Sequence, residues 1–258
     1  MNQFIKDRCI QGAIFLLSSF FSSAFAMHPD YKDVNFSSQP PFQLKNIVFQ
    51  IGIFDASQGK AQDIEIQDLV GDKFTVKSQH DQNVLLGLGF FLEGLHKEKY
   101  NLMYGLNAFY LAGTNVKGDV IQEHLFTNLS YHYSIINYPV YLVGKALINT
   151  SSERYNIIMD LGIGPNVISA KHFAEQSVDN GITIPDNAFH NETQIAFSAT
   201  LGLGIRFNKL LNNMLPVEIA YRFFYLGEGR LDKSNNQILD NLKTGNSYAN
   251  ALILSVSI

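Results

Sequence analysis

The chain has 258 residues, room for one large domain or two small ones, and carries 19 Lys and Arg against 23 Asp and Glu, a net charge of −4. That mildly acidic balance argues against nucleic acid as a partner. A mean hydropathy of zero argues against a helical membrane protein, whose spans each need about 20 consecutive apolar residues.

The only continuous apolar run opens the chain. Lys6 and Arg8 form a basic n-region, Ala13 to Phe21 an apolar h-region, and Ala24-Phe25-Ala26 an A-x-A site. Together they read as a secretory signal peptide over residues 1–26, cleaved after Ala26. The alternative is an uncleaved anchor, for which the run is short. Cys9, the only cysteine, precedes the h-region, which argues against a lipid anchor. The mature chain then has neither disulfide nor thiol chemistry. Residues 27–45 are polar, with Pro40-Pro41, and read as a periplasmic lead-in; folding back as a short plug stays open.

From residue 46 onward the pattern is period-two alternation, the mark of a strand with two unlike environments. Its fullest example is Thr193 to Phe207, TQIAFSATLGLGIRF, with Ile195, Phe197, Leu201, Leu203 and Ile205 on one face. Small or polar residues, among them Ser198, Thr200, Gly202, Gly204 and Arg206, occupy the other. Similar segments run Asn46–Phe54, Gln82–Glu93, Tyr100–Leu111, Tyr138–Asn149, Arg154–Ile168, Val217–Leu226 and Ser247–Ile258. With the first they make eight strands, an even number as bacterial barrels require. Leu125–Ile135 also has strand character and is assigned as an extension of the fourth strand beyond the membrane. Connections alternate between short turns (Gly94–Lys99, Thr150–Glu153, Asn208–Met214) and long polar loops (Ala56–Asp81, Gly113–Asn137, Ser169–Glu192, Gly227–Asn246). Short periplasmic turns and long external loops are the arrangement of an outer-membrane barrel.

A soluble barrel with the apolar face inward is the rival. Three features oppose it. Glycines recur on the polar face, where a narrow lumen needs small residues but a solvated sheet would only be weakened. Aromatics gather at the ends of the apolar face: Tyr110, Tyr138, Tyr225 and Tyr248 toward the loops, and Tyr100, Tyr155 and Phe207 toward the turns. Such girdles sit at bilayer interfaces. No charge lies on the apolar face between them, where Lys or Arg would cost about 2–4 kcal/mol at mid-bilayer. The expected fold is all-β: an eight-stranded antiparallel up-and-down transmembrane barrel over residues 46–258, monomeric and located in the bacterial outer membrane.

The strands LLGLGFF, DLGIGPNV and TLGLGIRF, the loop asymmetry and the terminal ANALILSVSI resemble the small eight-stranded outer-membrane barrels, namely the OmpA-like transmembrane domain and its opacity-protein and OmpW-type relatives. The resemblance covers nearly all of the mature chain. It implies surroundings of outer-membrane lipid and lipopolysaccharide, and an assembly signal on the closing strand at Leu252, Leu254, Val256 and Ile258, read by the barrel assembly machinery. The chain departs from the family at Ile258, where an aromatic residue is usual. No peptidoglycan-binding domain follows the last strand.

With the apolar face out, Glu93, Lys145, Asp160, Arg206, Glu218 and Arg222 point inward. Isolated charges in a narrow lumen are costly unless paired or hydrated, so a salt-bridged interior is expected, with Arg206, Glu218 and Arg222, on adjoining strands, as its leading members. Either it packs the barrel closed or it gates an ion path; eight strands leave space for little more than side chains, which favours the first. Asp63, Glu65, Asp68 and Asp72 crowd one loop without the residue order of a calcium loop. His80, His124, His172 and His190 lack zinc-site spacing. No motif implies a metal, a cofactor or a catalytic residue. The reading is of a non-enzymatic barrel for envelope integrity and for loop-mediated contact with a host or other surface ligand. The alternatives are a narrow channel for small or apolar solutes, using an apolar pocket near Phe54, Phe109 and Tyr141, and, behind it, an enzyme acting on lipid A.

Overall fold

Alternating faces become a barrel when every strand finds two neighbours. The computed structural model describes residues 47–152, 154–211 and 215–258; the segments read as signal peptide and lead-in lie outside the described residues. Among those described, the strands are β1 (Ile47–Ser57), β2 (Gln62–Ile64), β3 (Asp72–Phe74), β4 (His80–His96), β5 (Tyr100–Gln122), β6 (Phe126–Asn149), β7 (Tyr155–Ser177), β8 (Phe189–His190), β9 (Glu192–Leu211), β10 (Leu215–Lys233) and β11 (Leu242–Ser257). Eight of them form a closed antiparallel ring in the order β1-β4-β5-β6-β7-β9-β10-β11 and back to β1. The small strands lie outside the ring order: β2 pairs β3, β3 adds to the far end of β5, and β8 adds to the far end of β10.

The outward face between the girdle residues is largely apolar, with Ile51, Ile53, Leu86, Leu142, Leu161 and Leu203 all exposed; its polar member Asn250, next to the girdle residue Tyr248, accepts the Tyr221 hydroxyl at 2.6 Å. A closed ring has no unpaired edge, so this face can sit in lipid with all its backbone groups satisfied. On β5, Tyr100 and Tyr110 bracket the apolar face. Their separation at about 3.4 Å per residue and a tilt of roughly 40° gives a belt about 26 Å tall.

The strands are much longer than that belt requires. β5, β6 and β7 have 23, 24 and 23 residues, against about 9–11 for a tilted span. The expected extension of the fourth strand is present as part of β6, but the long loop expected at Gly113–Asn137 is not. It is a hairpin, with β5 and β6 paired out to Gln122↔Phe126. The loops expected at Ser169–Glu192 and Gly227–Asn246 are likewise partly strand, and Ala56–Asp81 contains the β2–β3 hairpin.

Two of the strand ends read from sequence, on β5 and β10, coincide with breaks of phase. On β5 the inward positions are odd as far as Leu111 and even from Thr114, across a register shift between those two residues. On β10 they are even to Leu226 and odd from Gly227, again at a register shift. An extra residue in a strand reverses which side chains face inward, so alternation stops while pairing continues.

Three stacked layers fill the ring. A mid-height cluster includes Phe54, Leu85, Phe91, Phe109, Tyr141 and Phe224. A second, in the extension toward the loops, includes Phe74, Val120, Tyr131, Tyr133, Phe189 and Leu231. Toward the turns lies a smaller group, Leu147, Ile158 and Ala220, beside the charged residues described below. Glycine spacing serves this filling: Gly87 stands opposite Phe109 in register, and a Cβ on it would meet that ring at 2.7 Å.

Ring closure predicts that the folded protein, run unheated in detergent on a gel, migrates differently from a boiled sample; identical mobility would exclude a closed barrel. At the β10 bulge, Gly227 has φ +83 and an added Cβ would lie 2.7 Å from Ala196 Cβ and Phe197 O. Gly227→Ala is therefore expected to cost about 1–3 kcal/mol in urea unfolding of vesicle-embedded protein.

Candidate functional site

The buried charges occupy two rows of the ring, with the row of Ile158, Gly204 and Ala220 between them. Lys145, Asp160, Gly202 and Arg222 are successive partners across β6, β7, β9 and β10. Two inward positions further toward the turns, Arg206 on β9 pairs Glu218 on β10 in register. Lys145 Nζ donates to both carboxylate oxygens of Glu218, at 2.6 and 2.7 Å, and Arg206 Nη1 lies 3.5 Å from the same carboxylate. Arg222 Nη2 lies 2.7 and 2.8 Å from the two oxygens of Asp160. Lys145, Asp160, Glu218 and Arg222 are all buried.

Arg222 reaches across Gly202 to Asp160, a partner that a strand-by-strand reading could not foresee. A Cβ on Gly202 would stand 2.7 Å from Asp160 Oδ2, so the missing side chain is the space through which the pair forms. Glu93 lies in neither row. Beyond Phe91 the strand nears its turn and slips register between Glu93 and His96, leaving Glu93 exposed at the turn-end mouth. Among the described residues it has no ion-pair partner. It lines a cavity of about 620 Å³ with Asn101, Asn149, Asn156 and Arg206.

Above the charges the lumen is aromatic. The guanidinium of Arg222 sits 5.3 Å from the Phe109 ring centroid and 6.0 Å from that of Phe224, and Lys145 Nζ 5.2 Å from Phe91. Phe109 packs edge-on to Tyr141 and Phe224, with centroids 6.3 and 5.2 Å apart. The apolar pocket expected near Phe54, Phe109 and Tyr141 is thus occupied by those side chains themselves, all three buried. Volume not taken by the glycine-bearing strands is filled from the strands opposite.

The girdle aromatics all lie on the outward face. Tyr110 and Tyr138 pack with tilted rings, centroids 5.4 Å apart, and Tyr225 and Tyr248 likewise at 5.6 Å, toward the loops. Tyr155 and Phe207 are cross-strand partners toward the turns, and Tyr100 is exposed at the start of β5. Leu252, Leu254 and Val256 share the outward face of β11, and Ile258 exchanges backbone hydrogen bonds with Ile47 across the closing seam.

The four acidic residues of the first loop disperse. Asp63 Oδ1 lies 3.9 Å from His124 Nδ1, Asp72 accepts the Glu123 backbone N–H at 3.0 Å, and Asp68 adopts φ 62 in a turn. Among the described residues no three His, Cys, Asp or Glu side chains converge as metal ligands. One pairing escaped sequence reading because its members are 25 residues apart: His80 Nδ1 lies 3.1 Å from Asp55 Oδ2. Ser57 faces His80 in register but makes no hydrogen bond to it among the described residues. The His80–Asp55 pair ties β1 to β4.

No family model and no curated protein matches the chain. Among solved structures it is similar to the outer-membrane protein OprG of Pseudomonas aeruginosa, at 17% identity over 83% of this chain and 97% of that one, TM-score 0.45. It is also similar to the outer-membrane protease OmpT of Escherichia coli, at 10% identity over 86% and 99%, TM-score 0.45, and to Ail, the attachment invasion locus protein of Yersinia pestis, at 10% identity over 83% and 97%, TM-score 0.32. These likenesses transfer no role to this chain; its architecture rests on its own strand pairing.

Removing one partner of a buried pair strands the other charge. Asp160→Ala is expected to destabilise the barrel by about 3–5 kcal/mol in urea unfolding from vesicles, with the double variant Asp160→Met, Arg222→Met recovering most of the loss. Gly202→Val should separate the same pair and cost a comparable amount; a change below 1 kcal/mol in both single variants would show that the pair contributes little.

Proposed function

We propose that the chain is a bacterial outer-membrane barrel whose role is structural and interactive: it stabilises the envelope and presents a rigid extracellular extension for contact with a host or other surface. The apolar belt with aromatics at both ends supports the membrane location, with lipid and lipopolysaccharide as its surroundings. Residues 1–26 serve as the signal peptide, 27–45 as a periplasmic lead-in, and the outward residues of β11 as the segment read by the assembly machinery.

The observation that carries the role is the filling of the lumen. A charge layer, an aromatic layer and the core of the extension lie one above another. A solute would have to displace packed rings and paired charges, whose uncoupling alone costs several kcal/mol. What remains accessible is the extension: strands that continue well past the girdle, a small hairpin added to β5, and loops displaying Leu69, Leu125, Ile182 and Ile184. Loops on a rigid scaffold are where binding chemistry is placed, and exposed apolar residues beyond the membrane suit contact with a partner.

Reconstituted into planar bilayers, the protein should give no single-channel steps; conductance abolished by Arg222→Ala or Lys145→Ala would establish the channel reading instead. Displayed on a non-adherent bacterium, it should increase attachment to host cells or matrix-coated surfaces. Replacing residues 178–188 with a Gly-Ser connector should remove most of that gain while the heat-dependent gel shift persists.

A further inference from the structure

The loop end of the barrel holds a second cavity, of about 480 Å³, above the extension core. Its inner walls are Ile64, Phe74, Val120, Leu129 and Ile238, all buried. Exposed Leu69 and Phe126 form its lips. Four carboxylates from four separate segments line it: Asp72 on β3, Glu123 in the β5–β6 turn, Glu175 on β7 and Asp186 in the following loop. No Lys or Arg contributes to the lining, and among the described residues none of the four carboxylates is in an ion pair. We infer that this cavity binds a small organic monocation, an ammonium group on an apolar body of roughly six to ten carbons, a size suited to a pocket of this class.

Charge and shape both select that chemistry. An apolar wall without charge would take any hydrophobe, and carboxylates without the wall would take any hydrated cation. Here the acidic groups and the apolar walls share one concave space, so an amine with a hydrocarbon body satisfies both at once.

Glu175 is the innermost of the four, 7% exposed. Its Oε2 accepts the Asn187 backbone N–H at 3.0 Å, and burial, with a hydrogen bond to the Asp186 carboxyl and the charge beside it, pushes its pKa up to about 7. Burial and the neighbouring charges of Asp186 and Glu123 raise Asp72 as well, opposed by the Glu123 backbone hydrogen bond and by His124. From β6, Tyr131 stands opposite Glu175 in register; its hydroxyl donates to Thr75 O, and burial raises its pKa, keeping it neutral. Near neutral pH a proton therefore holds Glu175 and Asp186 together, and an ammonium seated between them takes its place. The displaced proton goes to solvent. Amine affinity should thus rise with pH, by up to about tenfold per unit below pH 7. Without a ligand the sign is opposite: the folded mouth binds the proton more tightly than the unfolded chain, so stability falls as pH rises from 4.5 to about 7.

The test is calorimetric titration of the nanodisc-embedded protein with n-hexylammonium chloride at pH 6, 7 and 8, against n-hexanol, ammonium chloride and calcium chloride. The expected result is saturable hexylammonium binding that tightens with pH, at least tenfold stronger than hexanol or ammonium. Proton release should be seen by comparing buffers of different ionisation heat. The variants Glu175→Gln and Asp186→Asn, checked for the heat-dependent gel shift, should each weaken binding tenfold or more and flatten its pH dependence. The inference is overturned by equal binding of hexanol, by calcium binding with no amine binding, by a Lys-containing apolar peptide binding where hexylammonium does not, or by variants that bind like the parent. A protein that adheres but binds no amine would overturn this inference and leave surface contact standing.

Discussion

Ring closure is the constraint from which the other features follow. β1 meets β11 over ten paired positions, from Val48↔Ser257 to Ser57↔Tyr248, and those bonds convert a sheet with two edges into one with none. In hydrocarbon an unpaired backbone group has no water to turn to. Closure is therefore what permits an outward face as apolar as Ile51, Leu142 and Leu161. The same closure, with eight strands, sets the width of the lumen at little more than two facing side chains.

A lumen of that width must be filled, and each height uses a different solution. Toward the turns, charges are paired across the space, with Gly202 yielding the room that Asp160 and Arg222 need. At mid-height, aromatic rings from β5, β6 and β10 close over one another; the cationic head of Arg222 rests against Phe109 of that group and that of Lys145 against Phe91 on β4. The low dielectric that makes each pair strong also makes a lone charge costly. The charge layer is thus better understood as a condition for closing the barrel than as a path through it. In the extension, inward residues form an ordinary apolar core, topped by Phe74 from the β2–β3 hairpin packed on Tyr131 and Phe189.

The bulges mark the boundary between the membrane part and the extension. Register shifts on β5 between Leu111 and Thr114, and on β10 between Tyr225 and Gly227, fall beside the loop-end girdle residues Tyr110 and Tyr225. Below them the outward face is apolar and the inward face mixed. Above them β5 turns Asn115, Lys117 and Asp119 outward while Val116 and Val120 face in. One continuous strand therefore serves two solvents. The extension needs no separate domain, because it inherits its rigidity from the ring beneath it, and the acidic cavity is held by that frame.

The fold class, the eight strands, the face turned to lipid and the identity of most inward charges were legible in the chain itself. Each depends on a period-two pattern that a single strand displays by its own geometry. Asp160, Lys145 and Glu218 could be assigned to the lumen in this way, and adjoining strands suggested Arg206 beside Glu218, but the partners of Asp160 and Lys145 could not be read. Arg222 and Asp160 are 62 residues apart, and only the order of strands around the ring places them on either side of Gly202. Parity placed Glu93 on the inward face, where it lines the turn-end mouth, but parity says nothing of height, so its distance from the charge pairs was not legible. The ends of β5 and β10 failed for a related reason: alternation signals a strand only while its phase holds, and a bulge reverses the phase without breaking the pairing. The acidic cavity lies furthest from sequence, since Asp72, Glu123, Glu175 and Asp186 share no segment and no motif. They meet because the hairpin, the turn and the loop above the barrel fold onto one rim, a convergence decided by tertiary packing alone.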